Sequence, residues 1–271
     1  MSSTHLGDSL IQSVDRSVRI LLALQGARRL SLGELATRVN LPTSTVHGIL
    51  KTLALHGMVE QEAGSSRYML GPAVLRLSGA YLDNLEFLGR AKPWLEELAR
   101  RTQSSVRAGV KLLEDVIIVH SESRPDGNRQ MSEVGFVIPA HASALGKALL
   151  AFSPPTKRPL ASPILRRMTA ETIIDREELA VHLLEVAETG IATENDEALL
   201  GESSIAAPVF DTTGEAIAAV GIVFSSSEWP PAPSMRDEVR ETARNVSREL
   251  GAPSWPAYPH GHDPRKGSSF T

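Results

Sequence analysis

The stretch LPTSTVHGILKTLALHGMVEQ, Leu41 to Gln61, sets hydroxyls at Thr43, Ser44 and Thr45 close to an imidazole at His47 and an ammonium at Lys51. Two kinds of chemistry use such a set. A nucleophilic enzyme needs a hydroxyl activated by a base, with a third group orienting the base. A helix that lies against DNA needs small donors near its N-terminus and longer donors a turn further on.

The other places where catalysis would show argue against the first. ALGKA resembles a phosphate loop, but that loop needs glycine where His141 stands and Ser or Thr where Ala148 stands. His141 lies two residues before Ser143, with no G-x-S-x-G turn to present a nucleophile. His260 and His262 sit in a Pro- and Gly-rich tail without acid or cysteine partners, so no metal site is expected. The chain has no Cys, which removes thiolate ligands and thiol nucleophiles. The expectation is a protein that is not an enzyme and carries no cofactor or metal.

The elements around the opening stretch favour DNA. Val14, Val18, Leu21 and Leu22 fall at helical spacing and end near Gly26. Ser31 and Glu34 form a capping box ahead of Leu35, Ala36 and Val39. Pro42 suits the first position of the next helix because its missing N–H has no partner to lose there. Val46, Ile49, Leu50 and Leu53 make that helix's buried stripe, which leaves Ser44, His47, Gly48 and Lys51 outward. MVEQ and RYML, around EAGSS, read as a hairpin. Three helices and a hairpin in about 60 residues form a winged helix–turn–helix, here residues 10–72. Residues 73–88 read as a linker helix whose apolar face can pair with a second copy. Residues 89–250 mix helices and strands without βαβ regularity, which implies an α+β domain with an antiparallel sheet. It includes a strand pair turning at Glu114-Asp115, a helix capped by Asp175 with Glu178 completing a second capping box, and a hairpin turning at Thr213-Gly214. Residues 251–271 read as a disordered tail.

Composition is consistent with this. At 271 residues about two domains are expected, and 42% apolar residues can fill both cores. The net charge of −4 is uneven: residues 1–72 carry seven Lys/Arg against five acids, and the rest is acidic on balance. A mildly basic head on an acidic body fits nucleic-acid binding joined to another task. No apolar run approaches a membrane span, and MSSTHLGDSL lacks the features of a signal peptide. A cytoplasmic protein without membrane contact is expected.

The segments SVDRSVRILLAL, LSLGELATRVNLPTSTVHGILKTLALHGMVEQ, HASALGKALLAF and GESSIAAPVFDTTGEAIAAVGI, in this order and spacing, resemble the isocitrate lyase regulator (IclR) family of bacterial transcription factors over about residues 13–250. The resemblance implies a winged helix joined to a GAF/profilin-like effector-sensing domain. It also implies homodimers or homotetramers on double-stranded operator DNA and a small organic effector. Candidate DNA contacts are Arg28, Arg29, Thr43, Ser44, Thr45, His47, Lys51 and Arg67. The family often has Arg where this chain has Gly48. In glyoxylate- and pyruvate-responsive members the ligand positions match Ile138, Ala144, Leu145, Glu194, Ser204, Gly221 and Val223. Gly221 and Val223 replace two serines that hold the ligand carboxylate, and a buried unpaired carboxylate is costly. The expected effector is therefore not glyoxylate or pyruvate. It is a larger or less polar molecule, with a hydroxyl or amine facing Glu194 and Ser204. A sensor module that has lost sequence-specific DNA binding is the alternative.

Overall fold

The computed structural model describes residues 11–27, 29–125, 132–153 and 164–256. The chain divides into two compact units, one up to Asn84 and the other from Leu85.

In the first unit, α1 (Gln12–Ala27), α2 (Leu32–Val39) and α3 (Thr43–Leu55) surround a core of Ile20, Leu24, Leu35, Val39, Val46, Leu50 and Val59. Strands β1 (Leu30–Ser31), β2 (Val59–Gln61) and β3 (Arg67–Leu70) make a small antiparallel sheet in the order β1-β3-β2. Ser31 caps α2 in a complete capping box with Glu34. Of the stripe expected to bury α1, only Leu21 packs against the core. Ile20 and Leu24 enter the core, while Val14, Val18 and Leu22 stay exposed. Helix α1 carries two apolar stripes, and periodicity alone does not choose between them. The linker also differs from the single helix read over 73–88. Helix α4 (Ala73–Asp83) stops where Asn84 turns its amide back to the Ala80 carbonyl, a local bond that competes with helix continuation. Helix α5 (Glu86–Thr102) starts afresh. Helix α4 buries no residue of its own, and Leu75, Leu77 and Tyr81 are exposed.

The second unit is built on six antiparallel strands in the order β6-β5-β4-β9-β8-β7. They are β4 (Ser105–Leu112), β5 (Asp115–Glu122), β6 (Val137–Pro139), β7 (Ala192–Asn195), β8 (Glu202–Phe210) and β9 (Ala216–Ser225). Every residue of β8 from Ser203 on is buried, which requires cover on both faces of the sheet. Helix α6 (Ala144–Phe152) packs on β7, β8 and β9, with α7 (Arg176–Thr189) behind it. Helices α5 and α8 (Pro233–Glu249) pack together and on β4, β8 and β9. The first hairpin turns one residue earlier than expected, with Leu113 in the left-handed region. The second turns at Thr213-Gly214 as read, held by Asp211 accepting from Thr213 and Glu215 N–H groups. The tail from Gly251 is packed as far as it is described: Trp255 donates to the Pro208 carbonyl at 2.9 Å and stacks edge-on to Phe210. The rest of the expected tail, with His260 and His262, lies outside the described residues.

Helix α6 can seat this deeply because it is built of small residues. A Cβ at Gly146 would lie 2.2 Å from the Ala140 backbone, nearer than any real contact. Gly146→Ala is expected to destabilise the second unit by about 3 kcal/mol, lowering the thermal midpoint by roughly 6–12 °C. Gly89→Ala, in open space on α5, should instead hold or raise it. Equal midpoints for the two variants in a calorimetric scan would contradict the close-packing account.

Candidate functional site

In the first unit, Thr43, Ser44, His47, Gly48 and Lys51 lie exposed along the N-terminal half of α3, and Thr45 is half-buried. The hydroxyls are not spent on the helix itself: α3 has Pro42 at its N-cap and no side-chain capping bond. Among the described residues no hydrogen bond or ion pair engages the side chains of His47 or Lys51. The other candidate cations are already held. Arg29 pairs with Glu62, and Arg67 lies 3.5 Å from both Glu34 and the Arg29 carbonyl. Arg28 lies outside the described residues. The α3 face is thus polar and uncommitted, whereas Arg29 and Arg67 are held by acids of the β2–β3 hairpin and α2.

In the second unit the strand register brings together residues far apart in sequence. Glu194 on β7 pairs with Ser204 on β8, which pairs with Val223 on β9, which pairs with Ser105 on β4. The next row on the same face holds Ala206, Gly221 and Arg107. Six of the seven candidate effector residues, Ile138, Leu145, Glu194, Ser204, Gly221 and Val223, line one cavity of about 20 Å³. That is room for about one water. Ala144 is in the apolar core beneath it and does not reach the lining. Gly221 does more than lack a hydroxyl. A Cβ there would lie 2.2 Å from the Ile205 carbonyl, so β9 meets β8 too closely for a side chain.

The lining also includes Arg107, Ser143 and Glu202, which the sequence reading missed. Glu202 had a signal, because it lies two residues before Ser204 and so on the same strand face. Arg107 had none, since only the β4–β9 register sets it beside Gly221. Its guanidinium binds Glu133 at 2.7 Å and Glu202 at 2.6 and 3.0 Å. Burial works against its charge, but the two carboxylates outweigh that and hold its pKa above the usual value.

Glu194 is 3% exposed. It accepts from Ser204 Oγ at 2.8 Å and from the Glu197 N–H at 3.1 Å, and no cation contacts it among the described residues. Loss of water pushes its pKa up to about 7, against those two hydrogen bonds, with Glu197 and Glu202 adding repulsion. Behind it Lys147, with no exposed side-chain surface, is paired with Glu197 and reaches the Thr193 carbonyl at 3.4 Å. Burial lowers the Lys147 pKa and raises that of Glu197. Burial, then the Lys147 charge, drives His182 down to about 4.

The remaining catalytic candidates are occupied structurally. Ser143 Oγ caps α6 by accepting from the Gly146 N–H at 3.1 Å, and His141 Nε2 lies 3.0 Å from the Arg166 carbonyl. Lys147 is walled off from any phosphate. No group of three or more metal-ligating side chains occurs among the described residues, and no described helix is long and apolar enough to cross a membrane.

Comparison with known proteins gives a consistent picture. Residues 13–63 match the IclR helix-turn-helix domain family, and residues 79–248 match the C-terminal domain of the bacterial transcriptional regulator IclR. The chain is 39% identical over 248 residues to the glycerol operon regulatory protein of Streptomyces coelicolor, covering 89% of this chain and 97% of that one. The crystal structure of an IclR transcriptional regulator from Alicyclobacillus acidocaldarius superposes with a TM-score of 0.76 at 27% identity, over 90% of this chain and 100% of that one. An IclR homologue from Microbacterium hydrocarbonoxydans, crystallised with 4-hydroxybenzoate, has the same fold, with a TM-score of 0.74 at 24% identity over 88% and 98%.

The Glu194 environment has a pH signature. An acid whose folded pKa lies above its unfolded value keeps its proton better in the fold. It therefore disfavours folding as pH rises from about 4.5 to about 7. A shift of this size corresponds to at most about 3 kcal/mol. Glu194→Gln removes it, so the variant's stability relative to the native chain should rise by roughly 2 kcal/mol between pH 5 and pH 8 in urea unfolding. A relative stability independent of pH would show that Glu194 ionises normally.

Proposed function

We infer how the protein works from one premise: the chain belongs to the IclR family of bacterial transcriptional regulators. It is a DNA-binding regulator controlled by a small molecule bound in its C-terminal domain. We read it as a cytoplasmic, non-enzymatic protein that binds operator DNA as a homodimer and assembles into a homotetramer there. The apolar faces left open on α1 (Val14, Val18, Leu22) and α4 (Leu75, Leu77, Tyr81) support pairing with a second copy.

The observation that carries the DNA reading is the uncommitted polar face of α3. Thr43, Ser44 and Thr45 bond phosphates or base edges near the helix N-terminus. His47 and Lys51, one turn apart, reach into the major groove. Arg28, Arg29 and Arg67 take phosphates at the edge, the last two by exchanging their acid partners for DNA. Gly48 removes a long donor from the middle of this face, so the operator differs from those of relatives with Arg there.

The effector occupies the Glu194–Ser204 cavity, with Ile138 and Leu145 on one side and Gly221 and Val223 on the other, and Ala144 only supports the floor from the core. Glyoxylate and pyruvate are poor fits, because neither Gly221 nor Val223 offers a hydroxyl to a carboxylate. A larger or less polar molecule, with a hydroxyl or amine on Glu194 and Ser204, fits better. The relative named for a glycerol operon makes a carbon-source operon the first target to examine.

Fluorescence anisotropy on DNA from upstream of the protein's own coding region, against scrambled DNA, tests the DNA reading. A specificity ratio of about a thousandfold is expected. Lys51→Ala should weaken binding about tenfold and lower the salt slope by about one. Weak binding, equal on both DNAs, would favour the alternative of a sensor without sequence-specific DNA binding. Ser204→Val should weaken effector binding about tenfold, and an unchanged affinity would remove Ser204 from the site.

A further inference from the structure

The cavity at Glu194 is too small for any organic effector, yet it does not stand alone. A groove of about 560 Å³ lies beside it, and the two share Arg107, Glu202 and Val223 as lining. The bridge from Arg107 to Glu202 is therefore part of the wall between them.

Three features of that wall bear on what passes it. The first is that Arg107 has two carboxylate partners. It can release Glu202 while keeping Glu133, so the wall opens without stranding a bare guanidinium, which a singly paired buried arginine would do. The second is charge. A carboxylate or phosphate entering here meets Glu194, Glu202 and Glu133. The cations on the lining are already engaged, Arg107 by two acids and Arg124 by Glu228 at 3.6 Å. Those acids do not repel an ammonium, so charge excludes anions only, and the ammonium is disfavoured by its inability to accept from the Arg107 N–H groups. The third is hydrogen-bonding type. Acceptors (Glu194, Glu202) alternate with a pure donor (Arg107) and a group that is both (Ser204). A carboxylate only accepts and an ammonium only donates, whereas a hydroxyl does both. Between these polar groups, Ile138, Leu145 and Ile205 offer apolar surface to a carbon skeleton.

We propose that the effector is an uncharged polyol, entering from the groove and held between Glu194–Ser204 and Arg107–Glu202, with Arg107 and Glu202 setting its specificity. The proposal rests on the reading that this cavity is the effector site. The polyol's hydroxyls donate to Glu194 and to the Glu202 carboxylate, and one accepts from the Arg107 N–H groups that Glu202 releases. Arg107 stays neutralised by Glu133 throughout, and the Glu202 carboxylate that it releases is met by the polyol's hydroxyls.

Isothermal titration calorimetry on the full-length protein tests this with a defined panel: glycerol, erythritol and sorbitol, against glycerol phosphate, pyruvate and ethanolamine. At least one polyol is expected to bind tenfold or more tightly than every charged compound. Glu202→Gln should then weaken that polyol about tenfold and strengthen glycerol phosphate about tenfold, because Arg107 loses one of its two acids. A purely structural role for Glu202 would not reverse the selectivity in this way. Preference of the unmodified protein for an acid, a phosphate ester or the amine overturns the proposal without needing any variant to fold. So does binding of no polyol, or a selectivity unchanged in a Glu202→Gln variant of native thermal midpoint. Ser204→Val and Glu194→Gln separate the two levels. If a polyol binds and both variants leave its affinity unchanged, the cavity reading itself falls. If both weaken it while Glu202→Gln and Arg107→Met do not, the cavity reading stands and the assignment of Arg107 and Glu202 fails.

Discussion

The register of the ladder β7-β8-β9-β4 is the constraint on which the sensing unit depends. Side chains alternate between faces with a period of two, so slipping one strand by one residue would turn its whole set over. Glu194, Ser204, Val223 and Ser105 share a row only in the observed register, with Ala206, Gly221 and Arg107 in the next. Gly221 helps hold that alignment. Strand β9 comes so near β8 at this point that only glycine fits, because Ile205 and Ala206 already fill the place that a side chain would take. A residue that looks from the sequence like the loss of a ligand contact is therefore also a packing requirement.

Helix α6 is the second constraint, and it brings a charge into the interior. Its small residues let it settle on Ala140 and the sheet until every side chain is buried, including Lys147. A buried ammonium without a partner would be untenable, and Glu197 supplies the charge. Glu197 sits in the turn after β7, and its backbone N–H bonds Glu194. The lysine that anchors the helix and the carboxylate that faces the cavity are thus tied through one short turn. A Glu197 side-chain oxygen is left without a hydrogen bond among the described residues, so this turn carries a residual electrostatic penalty. A molecule that rearranges Glu194 acts on a segment that is already under-satisfied.

How much of this was legible in the sequence follows from which forces act locally. The capping box at Ser31 and Glu34, the cap at Asp175 and the turn at Thr213-Gly214 are decided within a few residues and could be read directly, although α7 has only the Asp175 half of the box expected with Glu178. The polar face of α3 followed from one helical stripe. What failed needed knowledge of partners distant in sequence. Helix α1 offers two stripes, and only the packing of α2 and α3 selects Ile20 and Leu24 over Val14 and Val18. The break between α4 and α5 turns on a single side-chain bond from Asn84, invisible to periodicity. The short edge strands β6 and β7 carry too few residues to show an alternating pattern. Arg107 could not be found at all, because its neighbours Glu133, Glu202 and Gly221 are brought to it only by the folded sheet.

The state seen here also bears on control. An effector can shift DNA binding only through unequal affinity for two arrangements of the protein. With room for about one water beside Glu194, the described arrangement is the one with poor access. If the effector sits where we propose, the arrangement that accepts it displaces the Arg107–Glu202 wall or the turn at Glu197. Affinity is then reduced by the fraction of time that the wall is open. The doubly paired Arg107 keeps this fraction from being vanishingly small, since opening trades one of two ion pairs rather than the only one. A coupling of about 1–3 kcal/mol is enough to change operator occupancy by one or two decades. The sensing unit therefore needs no large rearrangement at the cavity. On the proposed site it needs only a wall that opens at low cost.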